Sequence, residues 1–450
     1  MKEPTDEKLI FKNLNIHIPP SPYPRVVIIG GGFGGIQIAK KLVNYKLQLV
    51  LLDRHNYHTF QPLLYQVATA GLEPDSIAGP LRKLMENKKN FFFRMSRVTR
   101  INPDRNSIST VIGELTFEYL IIANGAQTNF FGNKNIERNA FPLKQIPQAL
   151  DLRSHILQNF EQAVLTEDEE ELGALLTIVI VGGGPTGVEV AGALSELKRH
   201  VLPRDYHELD FNKMEIYLVE GVDRVLAGMS AKSGINALKY LNQFGVKVYL
   251  NTMVKDYLED TVILDNGQKI RSRTLIWAAG VKGNLIGGIQ EEKIKRGRIL
   301  VDGYHRVVGY DRIFAIGDIA IMPTGENPEG HPMLAPIAMQ QGDNLVRNLL
   351  VQAGIKKGSL KAFDYRNKGV MATVGRNKAV VDLPGGVHFA GRAAWFIWMF
   401  VHLISIIGFR NKIVIVSNWI WNYFTYDRGT RLIIRLFIPG NKSDKNPIKK

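Results

Sequence analysis

The sequence predicts an α/β fold in which one parallel-sheet module occurs twice and an apolar C-terminal region follows. Three observations support this prediction. An apolar strand runs into a glycine-rich turn at 26–35 and again at 178–187, and a helical pattern follows both turns. A second apolar strand in each module ends in an acid, at Asp53 and at Glu220. Beyond these modules the sequence becomes strongly apolar over 393–409.

The first glycine-rich turn contains Gly30, Gly32 and Gly35, and the strand after its helix ends at Asp53. In a βαβ unit the first glycine makes the turn, the second lets a pyrophosphate approach, and the third lets helix and strand pack closely. The helix N-terminus attracts phosphate, and the acid bonds a ribose hydroxyl. A packing turn without a ligand is the alternative, but strand, helix and acid together favour a bound dinucleotide.

The second turn repeats this pattern with Gly182, Gly184 and Gly187, and Glu220 is the matching acid. An acid at this point repels a 2′-phosphate, which favours NADH over NADPH. The nearby Arg224 leaves NADPH open. The alternative for Glu220 is a solvated charge at the end of a strand.

Each module also has a third strand that ends in a small-residue turn, at Asn124-Gly125 and at Ala279-Gly280. The repeated order of elements predicts two Rossmann-like dinucleotide-binding domains produced by internal duplication. The predicted limits are 24–145 with 270–360 for the first domain, 146–269 for the second, and 361–450 for a C-terminal membrane-associating region.

Two further carboxylates each allow two interpretations. Glu189 lies at the start of the second helix, where it either offsets the helix dipole or faces the bound cofactors and positions a nicotinamide. Asp318 ends an apolar strand, where it either caps the following segment or accepts a hydrogen bond from a flavin side-chain hydroxyl.

The composition limits the chemistry. The chain has 450 residues and no cysteine, which excludes a thiol nucleophile, a redox disulfide and a cysteine-ligated metal. The histidines show no metal-ligand spacing, so no metal site is predicted. The net charge is +15, which indicates an anionic partner. No basic-aromatic motif for nucleic acid is present, so a membrane surface is the favoured partner.

The C-terminal apolar stretch 393–409 barely reaches the roughly 17-residue minimum for crossing a bilayer. Its tryptophans suit a membrane interface, so a helix lying in one leaflet is favoured over a spanning helix. A buried core or dimer helix is the third possibility. Arg428, Arg431 and Arg435 recur at helical spacing and predict a basic stripe beside it.

The two modules together resemble the flavoproteins with two dinucleotide-binding domains, a group that includes the pyridine nucleotide–disulfide reductases. Those reductases need a redox cysteine pair, which this chain lacks. Within the group, the stretches 56–68, 335–342 and 395–431 are similar to type II NADH dehydrogenase, the single-subunit NADH:quinone oxidoreductase of respiratory membranes.

This resemblance implies non-covalent FAD in the first domain and NADH in the second. The implied cofactor-binding residues are Gly30, Gly32, Phe33, Gly34, Gly35, Asp53, Arg54, Val98, Asn124, Gly125, Asp318 and Ala338 for FAD, and Gly182, Gly184, Thr186, Gly187, Glu220, Ala279 and Gly280 for NADH. The implied catalytic residues are Glu189, near the nicotinamide, and Gln340 and Gln341, which would bond the quinone carbonyls. Pro336 occupies the place of the first glutamine in the family's quinone motif.

The resemblance further implies that NADH passes a hydride to flavin N5 and that two electrons then go to menaquinone or ubiquinone without proton pumping. The expected protein is a homodimer, peripheral on the cytoplasmic face of the inner (plasma) membrane. Two rivals remain. A sulfide:quinone oxidoreductase needs cysteines that are absent here, and a flavoprotein of the apoptosis-inducing-factor type would have a mainly regulatory role.

Overall fold

The structure is a computed structural model that describes residues 15–325, 327–427, 429–434 and 436–438. The strands are β1 Arg25–Ile29, β2 Gln48–Asp53, β3 Tyr57–Thr59, β4 Ala78–Pro80, β5 Phe91–Met95, β6 Val98–Asn102, β7 Ser107–Thr110, β8 Gly113–Thr116, β9 Tyr119–Ile122, β10 Ala126–Thr128, β11 Phe141–Pro142, β12 Thr177–Val181, β13 Glu215–Val219, β14 Lys247–Tyr249, β15 Val254–Leu258, β16 Thr261–Leu264, β17 Lys269–Arg271, β18 Thr274–Trp277, β19 Val281–Gly283, β20 Ile294–Lys295, β21 Arg298–Leu300, β22 Ile313–Ala315, β23 Ala320–Ile321, β24 Val370–Gly375, β25 Lys378–Leu383 and β26 Val387–Gly391.

The helices are α1 Phe33–Leu42, α2 Leu64–Ala68, α3 Leu81–Leu84, α4 Lys134–Asn139, α5 Ile146–Val164, α6 Glu169–Leu176, α7 Pro185–Glu196, α8 Leu202–Asp205, α9 Ala231–Gln243, α10 Ala335–Gln352, α11 Arg392–Ser405 and α12 Phe409–Thr425. A single π-turn, Leu197–Val201, joins α7 to α8. The chain divides into two compact units.

Unit 1 comprises the described residues of Met1–His58, Gly79–Gln127 and Val281–Arg366. Its central sheet has the order β22-β9-β1-β2-β5, and every neighbouring pair is parallel. The chain therefore leaves β1 to one side for β2 and returns on the other side for β9, which creates a topological switch point at the carboxyl end of β1. The strands β1, β2 and β9 are buried on both faces and consist mostly of branched apolar residues, whereas the edge strand β5 is only partly buried.

Unit 2 comprises the described residues of Thr59–Ala78, Thr128–Gly280 and Asn367–Lys450. Its central sheet has the order β11-β18-β12-β13-β14 and is again parallel. The strands before the glycine turn, before the acid and before the small-residue turn occupy equivalent places in the two sheets. The predicted duplication is therefore confirmed.

Small antiparallel sheets accompany each large sheet. In unit 2, β15, β16 and β17 form one of them, and a turn at 265–267 joins the last two strands. Gly267 has φ +86° at this turn, a left-handed conformation that glycine adopts without strain. In unit 1, β6, β7 and β8 form the corresponding meander.

The C-terminal apolar stretch is broken into two helices. α11 ends at Ser405 and α12 begins at Phe409, and Gly408 has φ +92° between them. Within the described residues, no helix is both long and apolar enough to cross a bilayer.

The predicted arginine stripe is wrong in the part of the tail that the structure describes. Residues 429–434 form no helix, and Arg431 instead pairs with Asp205 at 2.6 Å and with Asp427 at 3.2 Å. Electrostatic attraction to these two carboxylates holds Arg431 against α8, so its side chain does not extend toward a membrane interface. Arg428 and Arg435 lie outside the described residues.

Candidate functional site

The glycine turn of unit 1 brings the chain from β1 into α1, which begins at Phe33 with Gly32 as its N-cap. A side chain at Gly35 would overlap the carbonyl oxygen of Gly30, so the helix packs directly on the turn. At Gly32 the nearest atom to an added Cβ is the Ala123 oxygen at 4.0 Å, which leaves the outer side of the turn open. The backbone N–H groups of the first helical turn are therefore accessible to a pyrophosphate.

Asp53 is bonded to the same turn. Its Oδ2 accepts a hydrogen bond from Gly31 N at 2.6 Å, and its Oδ1 accepts one from His55 N at 2.8 Å. The carboxylate is half-buried and keeps lone pairs for a ribose hydroxyl, while Arg54 beside it is exposed. Val98 is buried in the core formed around the β6–β8 meander.

Two buried acceptors near this turn have no partner among the described residues. His58 Nδ1 bonds the Gly31 carbonyl at 2.9 Å, so it carries the proton, and its Nε2 is left without a partner. Asn124 donates to the Asn284 carbonyl at 2.6 Å, and its Oδ1 is unpartnered. Buried polar atoms are normally bonded, so both atoms indicate a polar ligand. Burial also lowers the pKa of His58 and keeps the ring neutral.

The Gly317–Ile319 turn and α10 pack against the start of α1 in unit 1. We call this cover the roof. A Cβ at Gly34 would come within 2.7 Å of Ile316 Cδ1 and 3.2 Å of the Ala338 carbonyl oxygen. Gln341 is buried, and its Oε1 accepts a hydrogen bond from Gly317 N at 2.7 Å. This bond holds the Asp318 turn onto α10.

Gln340 and Asp318 also belong to the roof, Gln340 on α10 and Asp318 in the Gly317–Ile319 turn. The Gln340 carboxamide pairs with the backbone of Arg366, donating to its oxygen at 3.0 Å and accepting from its nitrogen at 3.1 Å. Asp318 lies half-buried in a short 3₁₀ turn whose N-cap is Ile316. Asp318 therefore lies inside that turn and is not its N-cap. Its predicted role as a cofactor ligand stays a prediction.

The glycine turn of unit 2 has the same backbone geometry. Gly182 has φ +106°, against +105° at Gly30. Both are left-handed conformations that favour glycine. A side chain at Gly187 would overlap the Gly182 carbonyl oxygen, as Gly35 does in unit 1. The cover differs at the second residue of the helix, because Gly34 in unit 1 packs against Ile316 and Ala338, whereas the equivalent Thr186 is exposed.

Glu220 reproduces the bonding of Asp53. Its Oε2 accepts a hydrogen bond from Gly183 N, and its Oε1 accepts one from Val222 N at 3.0 Å. The Ala279-Gly280 turn follows β18, and Gly280 has φ +122°. The exposed ring of Phe131 flanks this turn, 3.2 Å from an added Cβ at Gly280. No sequence pattern points to Phe131 as a site residue, because it belongs to no motif.

Glu189 faces the C-terminal part of unit 2. One face of α7 presents Glu189, Gly192 and Glu196 to β24 and the turn after it. Glu189 Oε1 accepts a hydrogen bond from Thr373 N at 3.4 Å, and Glu196 Oε1 accepts one from Arg376 N. A side chain at Gly192 would overlap the Val374 carbonyl, so the strand lies directly on the helix.

Burial raises the pKa of the Glu189 carboxyl to about 8. The Thr373 N–H and the Trp398 indole oppose this shift. At neutral pH the group is therefore mostly a neutral acid, since each pKa unit represents a tenfold change in the ratio of its two forms. A neutral acid offsets the helix dipole little, which favours the second of the two interpretations of Glu189; its position near a nicotinamide stays a prediction. A buried acid poised near neutral pH in a cleft is typical of a reactive group.

A cleft of about 770 Å³, including open solvent, opens beside Glu189 within unit 2. Its walls come from the segment after α2, from α7, from β24 and from the two C-terminal helices. The lining residues are Tyr65, Gln66, Thr69, Gly71, Glu189, Ala193, Glu196, Val201, Thr373, Gly375, Arg376, Trp395, Trp398, Trp419, Asn422, Tyr423 and Tyr426. Flat aromatic walls with a few polar groups suit a planar, mostly apolar ligand.

The C-terminal helices have their polar side facing the protein. On α12, Asn418 donates to Glu73 at 2.8 Å, Trp419 Nε1 to Gln66 at 3.0 Å, and Asn411 to the Ala78 carbonyl at 2.9 Å.

The apolar side chains of the same two helices face outward. The exposed set is Phe396, Phe400, Val401 and Ile404 on α11, with Phe409, Ile413, Ile420, Trp421 and Phe424 on α12. This orientation reverses that of an ordinary surface helix, and a continuous exposed apolar face of this kind marks an interaction surface.

Comparison with known families covers nearly the whole chain. Residues 24–342 match the family described as pyridine nucleotide-disulphide oxidoreductase, and residues 367–426 match the NDH2 C-terminal domain. The chain is 35% identical over 425 residues to a type II NADH:quinone oxidoreductase of Mycobacterium tuberculosis, covering 91% of this chain and 90% of that protein.

More distant similarities agree with these matches. An internal alternative NAD(P)H-ubiquinone oxidoreductase of Arabidopsis thaliana is 29% identical, covering 89% of this chain and 84% of that protein. Among solved structures, NDH2 of Plasmodium falciparum in complex with NADH has a TM-score of 0.82 at 21% identity, covering 92% of this chain and all of that one, 100%. At this identity the likeness shows the fold.

Proposed function

The chain belongs to the type II NADH:quinone oxidoreductases, within the pyridine nucleotide-disulphide oxidoreductase family, and we propose how its residues divide that activity. The enzyme is a flavin-dependent oxidoreductase that passes electrons from NADH to a quinone. The observation that carries this conclusion is the pair of matching glycine turns in a chain similar over 91% of its length to such enzymes. Bound FAD supplies the two-electron chemistry that links NADH to the quinone.

We assign FAD to unit 1. Gly30, Gly32 and Gly35 give its pyrophosphate access to the α1 N-terminus, and Asp53 accepts from the adenosine ribose. The open acceptors on His58 and Asn124 match the hydroxyl and ring N–H donors of such a cofactor. Phe33, Gly34, Gly125, Asp318 and Ala338 complete the site, and the roof over Gly34 retains the cofactor between turnovers.

We assign NADH to unit 2. Gly182, Gly184 and Gly187 hold its pyrophosphate, and Glu220 accepts from the ribose and repels a 2′-phosphate. The nicotinamide end lies toward the Ala279-Gly280 turn. Because the turn at Gly184 is open, NADH enters and NAD⁺ leaves without displacing protein atoms.

We propose that the aromatic cleft of unit 2 takes the quinone ring, with the protonated Glu189 at its floor. The cleft combines apolar walls with one neutral acid that can give a proton to a reduced quinone oxygen. The quinone contacts predicted for Gln340 and Gln341 stay a prediction. In unit 1 both carboxamides bond the backbone and hold the roof in place.

We propose that the outward face of α11 and α12 rests on a membrane surface. This face carries exposed aromatic side chains, and the protein has a net charge of +15, which anionic lipids attract. A position on the cytoplasmic face of the plasma membrane, a homodimer, menaquinone or ubiquinone as the acceptor, and the absence of proton pumping are proposed on the family resemblance.

Anaerobic titration tests this function. The protein purified in mild detergent should show flavin absorbance that NADH bleaches and that a quinone analogue then restores, with NADPH much less effective. A colourless protein, or a flavin that NADH leaves oxidised, would overturn the assignment. A slow reaction that ends in a long-lived charge-transfer complex, with no quinone turnover, would favour the regulatory flavoprotein.

A further inference from the structure

One polar atom in the aromatic cleft has no partner. Trp398 lies on α11, is 2% exposed, and lines the cleft with Glu189. Its indole Nε1 is buried and has no hydrogen-bond partner among the described residues. Leaving an N–H donor buried and unbonded is costly, so native proteins rarely keep one unless it serves a ligand or a function.

The indole is fixed in its orientation. His402 stacks on it with ring centroids 4.2 Å apart and an interplanar angle of 26°, and Trp419 lies 5.7 Å away on the neighbouring helix. His402 Nδ1 donates to the Trp398 carbonyl at 2.8 Å, which locks both residues of this turn of α11. His402 is itself buried. The N–H therefore cannot turn to solvent without repacking α11.

Glu189 lines the same cleft, and Glu196, the other carboxylate among its described lining residues, accepts a hydrogen bond from Arg376 N. The indole lies close enough to Glu189 to oppose the upward shift of its pKa, yet it forms no hydrogen bond of acceptable geometry. A neutral carboxyl and an unbonded N–H thus face the same space. A ligand oxygen placed there would accept from both, and a quinone carbonyl offers two lone pairs.

We propose that the indole N–H of Trp398 donates the hydrogen bond that orients a carbonyl oxygen of the quinone beside Glu189, with His402 as its positioning residue. This inference rests on the proposed function. The indole keeps its proton throughout. The two electrons come from the reduced flavin, the O–H bond at this carbonyl forms with the proton of the Glu189 carboxyl, and solvent returns that proton to the carboxylate and supplies the second proton of the hydroquinone.

Trp395 provides a matched control. It lies one turn earlier on the same helix and lines the same cleft, but its indole nitrogen is not among the unpartnered buried atoms. Trp398→Phe and Trp395→Phe therefore remove the same chemical group from the same wall. Only the first removes the proposed hydrogen bond.

The experiment measures three rates on the detergent-purified holoenzyme: flavin reduction by NADH, ferricyanide reduction, and reduction of a short-chain quinone. Ferricyanide accepts electrons without a carbonyl. We expect Trp398→Phe to raise KM for the quinone about three- to tenfold, the effect of losing one hydrogen bond, with the other two rates within twofold. Trp395→Phe trims the same wall but removes no unpartnered donor, so it should raise KM for the quinone clearly less than Trp398→Phe does.

Trp398→His keeps a ring N–H and should return KM to within about threefold of the parent. An unchanged quinone KM in Trp398→Phe, or an equal loss of the quinone and ferricyanide rates, would overturn the proposal. If the parent enzyme reduces ferricyanide but no quinone, the proposed function fails instead. Should Trp398→Phe lose its flavin, the result with Trp398→His decides, because a donor role predicts a near-normal KM there and a packing role predicts a raised one.

Discussion

The two glycine turns of this protein share one backbone and differ in what covers it. Gly30 and Gly182 have φ values of +105° and +106°, and each module ends its second strand in an acid bonded to the turn. In unit 1 the turn lies under Ile316 and Ala338, whereas in unit 2 the equivalent helix start is exposed.

This difference separates binding from retention. The turn, the helix N-terminus and the acid recognise a dinucleotide in both units. We propose that the roof decides how long it stays, because release from unit 1 would require movement of packed atoms, while release from unit 2 would not. On this proposal the duplicated module holds a resident cofactor in one copy and an exchanging substrate in the other.

The largest expected effect comes from adding a side chain to each glycine turn. Gly35→Ala and Gly187→Ala both force a Cβ onto a carbonyl oxygen, an overpacking that costs about 1–3 kcal/mol, or about 5- to 150-fold in ligand affinity. We expect Gly35→Ala to lose flavin on purification and Gly187→Ala to stay yellow with a raised KM for NADH. Flavin content and steady-state kinetics measure this.

Gly173→Ala is the matched control, because this helical glycine has nothing within 4 Å of an added Cβ. It should leave flavin content and KM unchanged. Loss of flavin in Gly187→Ala, with retention in Gly35→Ala, would reverse the assignment of the two cofactors.

Replacing each acid by its amide tests how the two dinucleotides are recognised without changing the packing. Glu220→Gln should raise KM for NADH about tenfold or more, since a hydrogen bond to a charged group contributes about 1.5–3 kcal/mol. Asp53→Asn should leave that KM unchanged and lower the affinity for FAD instead. KM for NADH and FAD rebinding to the stripped protein check this pair, and equal effects on both ligands from either variant would contradict the division.

The rate of quinone reduction should depend on pH through a carboxyl group of unit 2. The Glu189 carboxyl has a raised pKa of about 8, so its proton is present below that pH and is lost above it. At pH 9 about one tenth would remain protonated, and quinone reduction should fall roughly tenfold while ferricyanide reduction stays flat. Glu189→Gln should remove the inflection. The other charged residues that line the same cleft are Glu196 and Arg376. An inflection that survives in Glu189→Gln would contradict its assignment to Glu189.

The smallest expected effect concerns the outward face of the C-terminal helices. Phe424 is 78% exposed, and burying a phenylalanine contributes about 1.5–3 kcal/mol when it is complete. Partial burial in lipid should make Phe424→Ser bind vesicles with anionic lipid about three- to tenfold more weakly in a flotation assay. Leu165→Ser, at an 84% exposed position on unit 2, is the control, and equal binding by both variants would remove this face from the membrane.

Much of the fold could be predicted from the sequence because its signals are local. The strands β12 and β13 end directly before the glycine turn and before Glu220, as predicted, since a buried parallel strand is a short apolar run bounded by turn residues. The acids at Asp53 and Glu220 were found for the same reason: each directly ends such a run.

What could not be predicted depends on contacts between distant parts of the chain. The burial of Glu189 depends on Thr373 and Trp398, about 184 residues away in the first case. The hydrogen bond from Gly317 N to Gln341 Oε1 joins two segments that no sequence pattern connects. Arg431 sits at helical spacing in the sequence, yet the Asp205 carboxylate fixes it elsewhere.

The most direct test of the unequal turns is to saturate the oxidised holoenzyme with NAD⁺, pass it through a size-exclusion column without added ligand, and quantify both nucleotides in the protein peak. A roofed turn and an open turn predict that one FAD per chain remains and that nicotinamide dinucleotide is absent. A protein that keeps its NAD⁺ and sheds its FAD would contradict the account.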